Sequence, residues 1–143
     1  MYLSVLKPIL QCTACEIRVK NELIITFEGD HTKILSNGEK NYDFAVRVWS
    51  EAVAACEKND CYDILGIADT TVPLTTFEGY EHADLFEHLG ISNKYRIAWV
   101  ELNAETYQAA YFVETVLFNR GFPARVFLEV DEAKDWLLSR GDE

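Results

Sequence analysis

Glu114 is the residue whose surroundings most need a chemical explanation. On a helical wheel it is flanked by Tyr107, Ala110, Tyr111, Leu117 and Phe118. A carboxylate on a core-facing stripe must be paired, hydrogen-bonded or protonated. Arg120, Arg125, His82 and backbone amides are the candidate partners. A structural anchor tying a helix to a loop is the favoured reading. A ligand-binding or catalytic carboxylate, or a helix face at a dimer seam, are the alternatives. Asn119, Arg120 and Gly121 follow. Gly121 suits the left-handed residue after a helix, and Arg120 complements the helix dipole, so the three need no ligand.

A second group lies on the stretch Thr75–Leu89, with Glu78, Glu81, His82, Asp84, Glu87 and His88. Glu78–His82 and Asp84–His88 are i,i+4 pairs that can meet on a helix surface. The two pairs project about 120° apart, so one metal ion cannot easily use both. Glu78 and His82 share an arc with Leu85, Phe86 and Leu89, which would suit a partly buried acid–base pair. The plainer reading closes a capping box with Glu78 and leaves His82 at the rim. His31 reads as a solvated turn residue.

Cys12 and Cys15 form C-x-x-C, and Cys56 and Cys61 are four residues apart. Four thiolates could hold zinc, and a C-x-x-C could be a redox pair. A redox pair is expected at a helix N-terminus after a strand, whereas this one precedes a strand. Cys56 falls on the apolar side of a helix. Plain thiols are the expectation, with no metal and no cofactor.

The chain has 143 residues, 13 Lys+Arg against 24 Asp+Glu, and a net charge of −11. That length predicts one domain, with residues 1–14 as an N-terminal segment and 15–140 as the core. A 49% apolar, 13% aromatic composition can fill a core and excludes intrinsic disorder. The acidic balance, without any basic cluster, disfavours nucleic acid and anionic membranes. No apolar run approaches the roughly 20 residues that span a bilayer. Met1–Leu10 lacks the basic start of a signal peptide, and Lys7 and Pro8 interrupt it. The expected location is the cytoplasm.

The elements that must position these residues alternate. Glu16–Lys20 and Leu23–Phe27 read as a hairpin. Gly29–Lys40 is polar and turn-rich, with Lys33–Leu35 open between short strand and loop. Tyr42–Lys58 is a helix capped by Asn41, with Tyr42, Ala45, Val46, Trp49, Ala52, Val53 and Cys56 on its apolar face. Phe44 is left on the polar side. Tyr62–Ala68 is an apolar run typical of a central strand, and Asp69–Leu74 is loop. Thr75–Leu89 opens with a capping-box pattern and ends at Gly90. Tyr95–Leu102 is a strand, Asn103 caps the helix Ala104–Arg120, Arg125–Val130 is a strand, and Asp131–Arg140 is a helix. Strands that alternate with helices give a parallel sheet, which the opening hairpin makes mixed.

Several short segments together resemble a bacterial STAS-like family, the domain of sulfate transporters and anti-sigma-factor antagonists. They are Pro73-Leu74-Thr75-Thr76, Arg96-Ile97-Ala98, Glu114-Thr115-Val116 with Asn119-Arg120-Gly121, Arg125-Val126-Phe127, and Glu132-Ala133 with Trp136-Leu137. The resemblance covers roughly residues 16–140 and is to the soluble single-domain branch. It implies an α/β fold, a mixed sheet flanked by helices, in the order read above. It also implies that Cys15 and Cys61 lie at opposite ends of the sheet, against a four-cysteine zinc site. Signalling members carry a phosphorylatable Ser or Thr at the helix start that corresponds to Thr75 and Thr76. Their Asp-Ser-x-Gly-Leu stretch is missing here, Thr75 is explained as an N-cap, and Glu78 and Glu81 disfavour an added anion.

The expected function is a non-enzymatic regulatory or protein-interaction module. Its partner would be another protein or itself, most simply as a homodimer, since Phe44 and Phe112 lack an evident place in the core. A small apolar, lipid-like ligand near Glu114, in a pocket lined by Tyr107, Tyr111, Phe112 and Phe86, is the alternative. An enzyme using Glu114 with His82 ranks third. A pocket of some hundreds of cubic ångströms beside Glu114 would favour either alternative.

Overall fold

The second strand of the expected hairpin is present, and it pairs with a strand in the stretch that read as polar and turn-rich. In the computed structural model, which describes residues 22–139, Glu22–Phe27 (β1) pairs antiparallel with Thr32–Glu39 (β2). Glu22 lies opposite Asn37 and Phe27 opposite Thr32. The strand expected at Glu16–Lys20 falls outside the described residues, as do Cys12 and Cys15. β2 occupies the stretch that read as polar loop. Its inward positions are Thr32, Ile34, Ser36 and Gly38, all buried, and they alternate with less buried Lys33, Leu35, Asn37 and Glu39. The period is that of a strand, but small polar residues fill half of its buried face. His31, expected in solvent, is buried beside this turn, with Nδ1 2.7 Å from Asp30 Oδ1.

The remaining elements are α1 (Tyr42–Asn59), β3 (Asp63–Val72), α2 (Thr76–His88), β4 (Arg96–Glu101), a 3-10 turn (Ala104–Thr106), α3 (Tyr107–Asn119), β5 (Ala124–Phe127) and α4 (Val130–Leu138). The sheet order is β1-β2-β3-β4-β5, and every pair after the hairpin is parallel. Each parallel neighbour is reached by a helical crossover, and such crossovers are right-handed. Adding strands always on the same side therefore puts α1, α2 and α3 on one face. The cores agree: Ile34, Ile64 and Ile97 pack with residues of α1, α2 and α3, while Leu65, Ala98 and Val100 pack with Ala133 and Leu137 of α4. β3 runs on to Val72, past the expected end at Ala68, because Asp69, Thr70 and Val72 still pair with the end of β2.

The Asn41 side chain accepts the Phe44 amide at 2.9 Å and starts α1. The buried face of α1 is Phe44, Ala45, Val48, Trp49, Ala52, Val53 and Cys56. Phe44 thus belongs to the core, and Tyr42 and Val46 stand at its margin. Phe112 also has a place. Its ring lies over Gly79, where a Cβ would come within 3.0 Å, and meets Tyr80 edge-on at 5.3 Å. Neither phenylalanine therefore argues for self-association. α3 buries Ala110, Val116 and Leu117, and leaves Phe118 73% exposed. The covered stripe is rotated from the predicted one, taking in Val116 and leaving Tyr111 and Phe118 exposed.

Gly66 on β3 is opposite Trp99 on β4, and the indole lies against its bare Cα. A Cβ there would stand 2.1 Å from Trp99 Cε3. Gly66→Ala should lower stability by about 2 kcal/mol through overpacking, read from a urea melt. A shift below a few tenths would mean that the indole moves freely.

Candidate functional site

Parallel strands bring their carboxyl ends to one side of a sheet, where open α/β folds form their crevices. Here that side carries Lys40, just past β2, Thr70, two residues before the end of β3, and Glu101, the last residue of β4. The β2–β3 register shifts between Gly38 and Glu39, and Gly38 takes φ 107°. Such a bulge re-aims the chain; Lys40 N–H then donates to the Val72 carbonyl at 2.8 Å. The Lys40 ammonium reaches Glu101 Oε1 at 2.8 Å and sits 5.0 Å over the Trp99 ring. Trp99 Nε1 donates to Oε1 at 3.3 Å, and Thr106 Oγ1 donates to Oε2 at 2.8 Å. Glu101 is fully buried and has both carboxylate oxygens occupied. Burial pulls the Lys40 pKa down, and the Glu101 carboxylate pulls it partly back.

This buried ion pair is the main polar feature that sequence reasoning missed. Its signal was present: Ile97, Trp99 and Glu101 are two apart on a strand and share a face. A carboxylate on the face of Ile97 and Trp99 had to find a cation.

Beneath the pair is a cavity of about 70 Å³ between the sheet and α1, α2 and α3. Its walls are mostly apolar, with Phe44, Trp49, Phe86 and Leu117 among them, and its polar groups include Lys40, Thr70, His82, Glu101 and Glu114. Thr70 is 2% exposed, and its Oγ1 has no hydrogen-bond partner among the described residues. His82, expected at a rim, is buried. Its Nδ1 lies 3.0 Å from the Glu78 carbonyl. A carbonyl only accepts, so Nδ1 carries the proton and Nε2 is left as an acceptor. Burial pushes the His82 pKa below 6.5, and the Lys40 charge adds to this against the opposing pull of Glu78.

That depression has a pH consequence. The folded protein holds His82 neutral, so the unfolded chain binds the extra proton once the pH falls below 6.5. Its contribution is complete above that value and declines as the pH drops. Urea melts at about pH 8 and about pH 5.5 should show a loss that shrinks in His82→Gln. An equal loss in both proteins would show that His82 titrates normally. Glu78, held below 4.5 by the Thr75 amide, weakens only at lower pH.

The other residues singled out by sequence are distributed as follows. Thr75 and Glu78 form the capping box: Glu78 N–H donates to Thr75 Oγ1 at 3.2 Å, and Thr75 N–H to Glu78 Oε1 at 3.0 Å. Glu78 Oε2 also accepts the Tyr42 amide at 3.3 Å, so its carboxylate is spent on helix starts and not on His82. The Thr75 hydroxyl lies inside the box. That of Thr76 is exposed and makes no hydrogen bond among the described residues. Glu114 and His82 line the same cavity without bonding, since Glu114 Oε1 accepts the Val126 amide at 2.6 Å. Arg120 pairs with Asp84 at 2.8 Å, and Asn119 is exposed at the end of α3. Cys56 is buried, with its thiol pushed up to about 11 by burial. Among the described residues no three His, Cys, Asp or Glu gather as a metal site, and no helix is long and apolar enough to cross a membrane.

The space beside Glu114 is well short of the hundreds of cubic ångströms that a lipid-like ligand needs. The outer surface of α2 is more distinctive. Phe77 is 71% and Tyr80 57% exposed, three residues apart on one face beside the capping box. Tyr80 carries this row to Phe112 on α3.

No family model matches the sequence, and no curated protein matches it. Solved structures do. An anti-sigma factor antagonist from Mycobacterium paratuberculosis is similar at a TM-score of 0.56 and 12% identity, over 83% of this chain and 95% of that one. An uncharacterized protein with a SpoIIAA-like fold from Shewanella loihica aligns at 0.49 and 14%, over 85% and 98%. The RsbS protein of Moorella thermoacetica aligns at 0.46 and 18%, over 82% and 97%. The chain has the STAS-like fold that its sequence resembles. At 12% identity the likeness speaks for fold alone.

Proposed function

We propose that this STAS-like domain is a non-enzymatic regulatory module that binds a partner protein through the start of α2. The observation that carries the reading is the pair Phe77 and Tyr80, two large aromatic side chains held in solvent on a helix whose first turn is fixed by a capping box. Aromatic groups on a rigid element bury large area at small entropic cost, and Tyr is enriched among binding hot spots. The fold shared with an anti-sigma factor antagonist supports the same class of function. So does the state of the carboxylates near the site, since Glu101, Glu78 and Glu114 are each committed to a structural partner. The exposed Thr76 hydroxyl is the one at this helix start that a kinase could reach without breaking the capping box.

Phe77→Ser with Tyr80→Ser tests the reading. The double variant should keep the wild-type melting transition, because both rings are largely solvated. It should lose a protein that co-purifies with wild type from the native host. A co-purifying protein retained at full yield by the double variant would overturn the reading. A second copy of the chain is the other occupant this face admits; a wild-type dimer that the double variant converts to monomer would identify it.

A further inference from the structure

We propose that the cavity under the Lys40–Glu101 pair is a binding site for a small neutral molecule with an apolar body and one hydroxyl oxygen. Thr70 Oγ1 carries the inference. It belongs to a residue 2% exposed, lies on the cavity wall and has no partner among the described residues. A buried hydroxyl without a partner costs free energy, and most buried polar groups in folded proteins are satisfied. A ligand oxygen on Thr70 removes that cost. The neutral His82 ring adds a second polar group to the same wall, with Nε2 free to accept.

The charges decide the ligand class. Lys40 and Glu101 neutralise each other at 2.8 Å, and Thr106 and Trp99 occupy the rest of the carboxylate. An anion would meet the Glu101 and Glu114 carboxylates with no cation turned to it, since the Arg125 guanidinium lies over Phe127 and Trp136, and a cation would meet the Lys40 ammonium. Most of the remaining wall is apolar, with Phe44, Trp49, Phe86 and Leu117 among it, which suits a hydrocarbon body. The size follows from the volume. A dry cavity of about 150 Å³ admits benzene, so 70 Å³ suits a smaller body of at most three carbons, with propan-2-ol at the upper end. This site is separate from the α2 surface and stands whether or not that surface binds a protein.

The test titrates the full-length protein with propan-2-ol and follows backbone amide shifts, with xenon as an apolar probe of volume and acetate as an anionic probe. The shifts at cavity residues should saturate in the millimolar range with propan-2-ol and not with acetate. Thr70→Val, nearly isosteric, should weaken propan-2-ol about five-fold and leave xenon unchanged. Thr70→Ser should restore the alcohol, and this arm holds even if the valine variant folds poorly. Ala110→Leu should remove both ligands by filling the space. Shifts that rise linearly without saturation would overturn the proposal. So would propan-2-ol binding that ignores Thr70→Val, acetate binding as tight as the alcohol, or a crystal soaked in propan-2-ol with water alone on Thr70 Oγ1.

Discussion

Replacing Lys40 with methionine is expected to lower the stability of the protein by about 3–5 kcal/mol. Methionine keeps the length and apolar stem of the lysine, so packing against Trp99 changes little. What is lost is the charge 2.8 Å from Glu101, a residue with no solvent exposure. Removing one member of a buried pair leaves the other charge without compensation. The hydrogen bonds from Thr106 and Trp99 remain, but neither donor carries a full charge. Adding Glu101→Gln to Lys40→Met should recover more than half of the loss, since an amide oxygen still accepts from Thr106 and the unpaired charge is gone. A urea melt of the two variants measures both effects. A single variant as stable as wild type, or a double variant no better than the single, would show that the pair is not held charged in a dry interior.

Glu114→Ala is expected to cost about 3 kcal/mol, and Glu114→Gln about half as much. Ile97 N–H donates to the Pro123 carbonyl, and in a parallel ladder that phase turns the Val126 amide away from β4. β5 is the last strand of the sheet, so this amide points off the edge. Glu114 reaches it at 2.6 Å from α3 and occupies a donor that an edge strand would otherwise leave open. Glutamine keeps an acceptor oxygen without the charge, while alanine removes the bond and adds a gap beside the cavity. The Val126 amide should also exchange faster with solvent in Glu114→Ala. If both variants melt within a degree or two of wild type and exchange at Val126 is unchanged, the contact is not a stabilising one.

The helices were legible because their signals are local. Asn41 and Thr75 with Glu78 cap the helices whose starts they mark in the sequence, and Asn103 caps the 3-10 turn that leads into α3. The central strands were legible from unbroken apolar runs. β2 was not, because Thr32, Ser36 and Gly38 fill inward positions that a periodicity count scores as polar. The apolar face of α1 was legible at Ala45, Trp49, Ala52, Val53 and Cys56, while the covered arc is rotated slightly to take in Phe44 and Val48 in place of Tyr42 and Val46. At the site, the backbone amide partner of Glu114 was among the candidates, whereas the Lys40–Glu101 pair spans 61 residues. A contact of that kind exists only once the strand order is known. The exposure of Phe77 and Tyr80 is likewise a property of packing. A wheel projection of α2 does not show which of its aromatic residues α3 covers.

The most direct measurement is a photo-cross-link from the start of α2 in living host cells. A photoreactive phenylalanine at position 77 is compared with one at position 138, on α4 across the sheet, where Leu138 is also exposed. Binding through α2 predicts a discrete protein adduct from position 77 that disappears on adding Tyr80→Ser, with none from position 138. No adduct from position 77, or the same adducts from both positions, would contradict it.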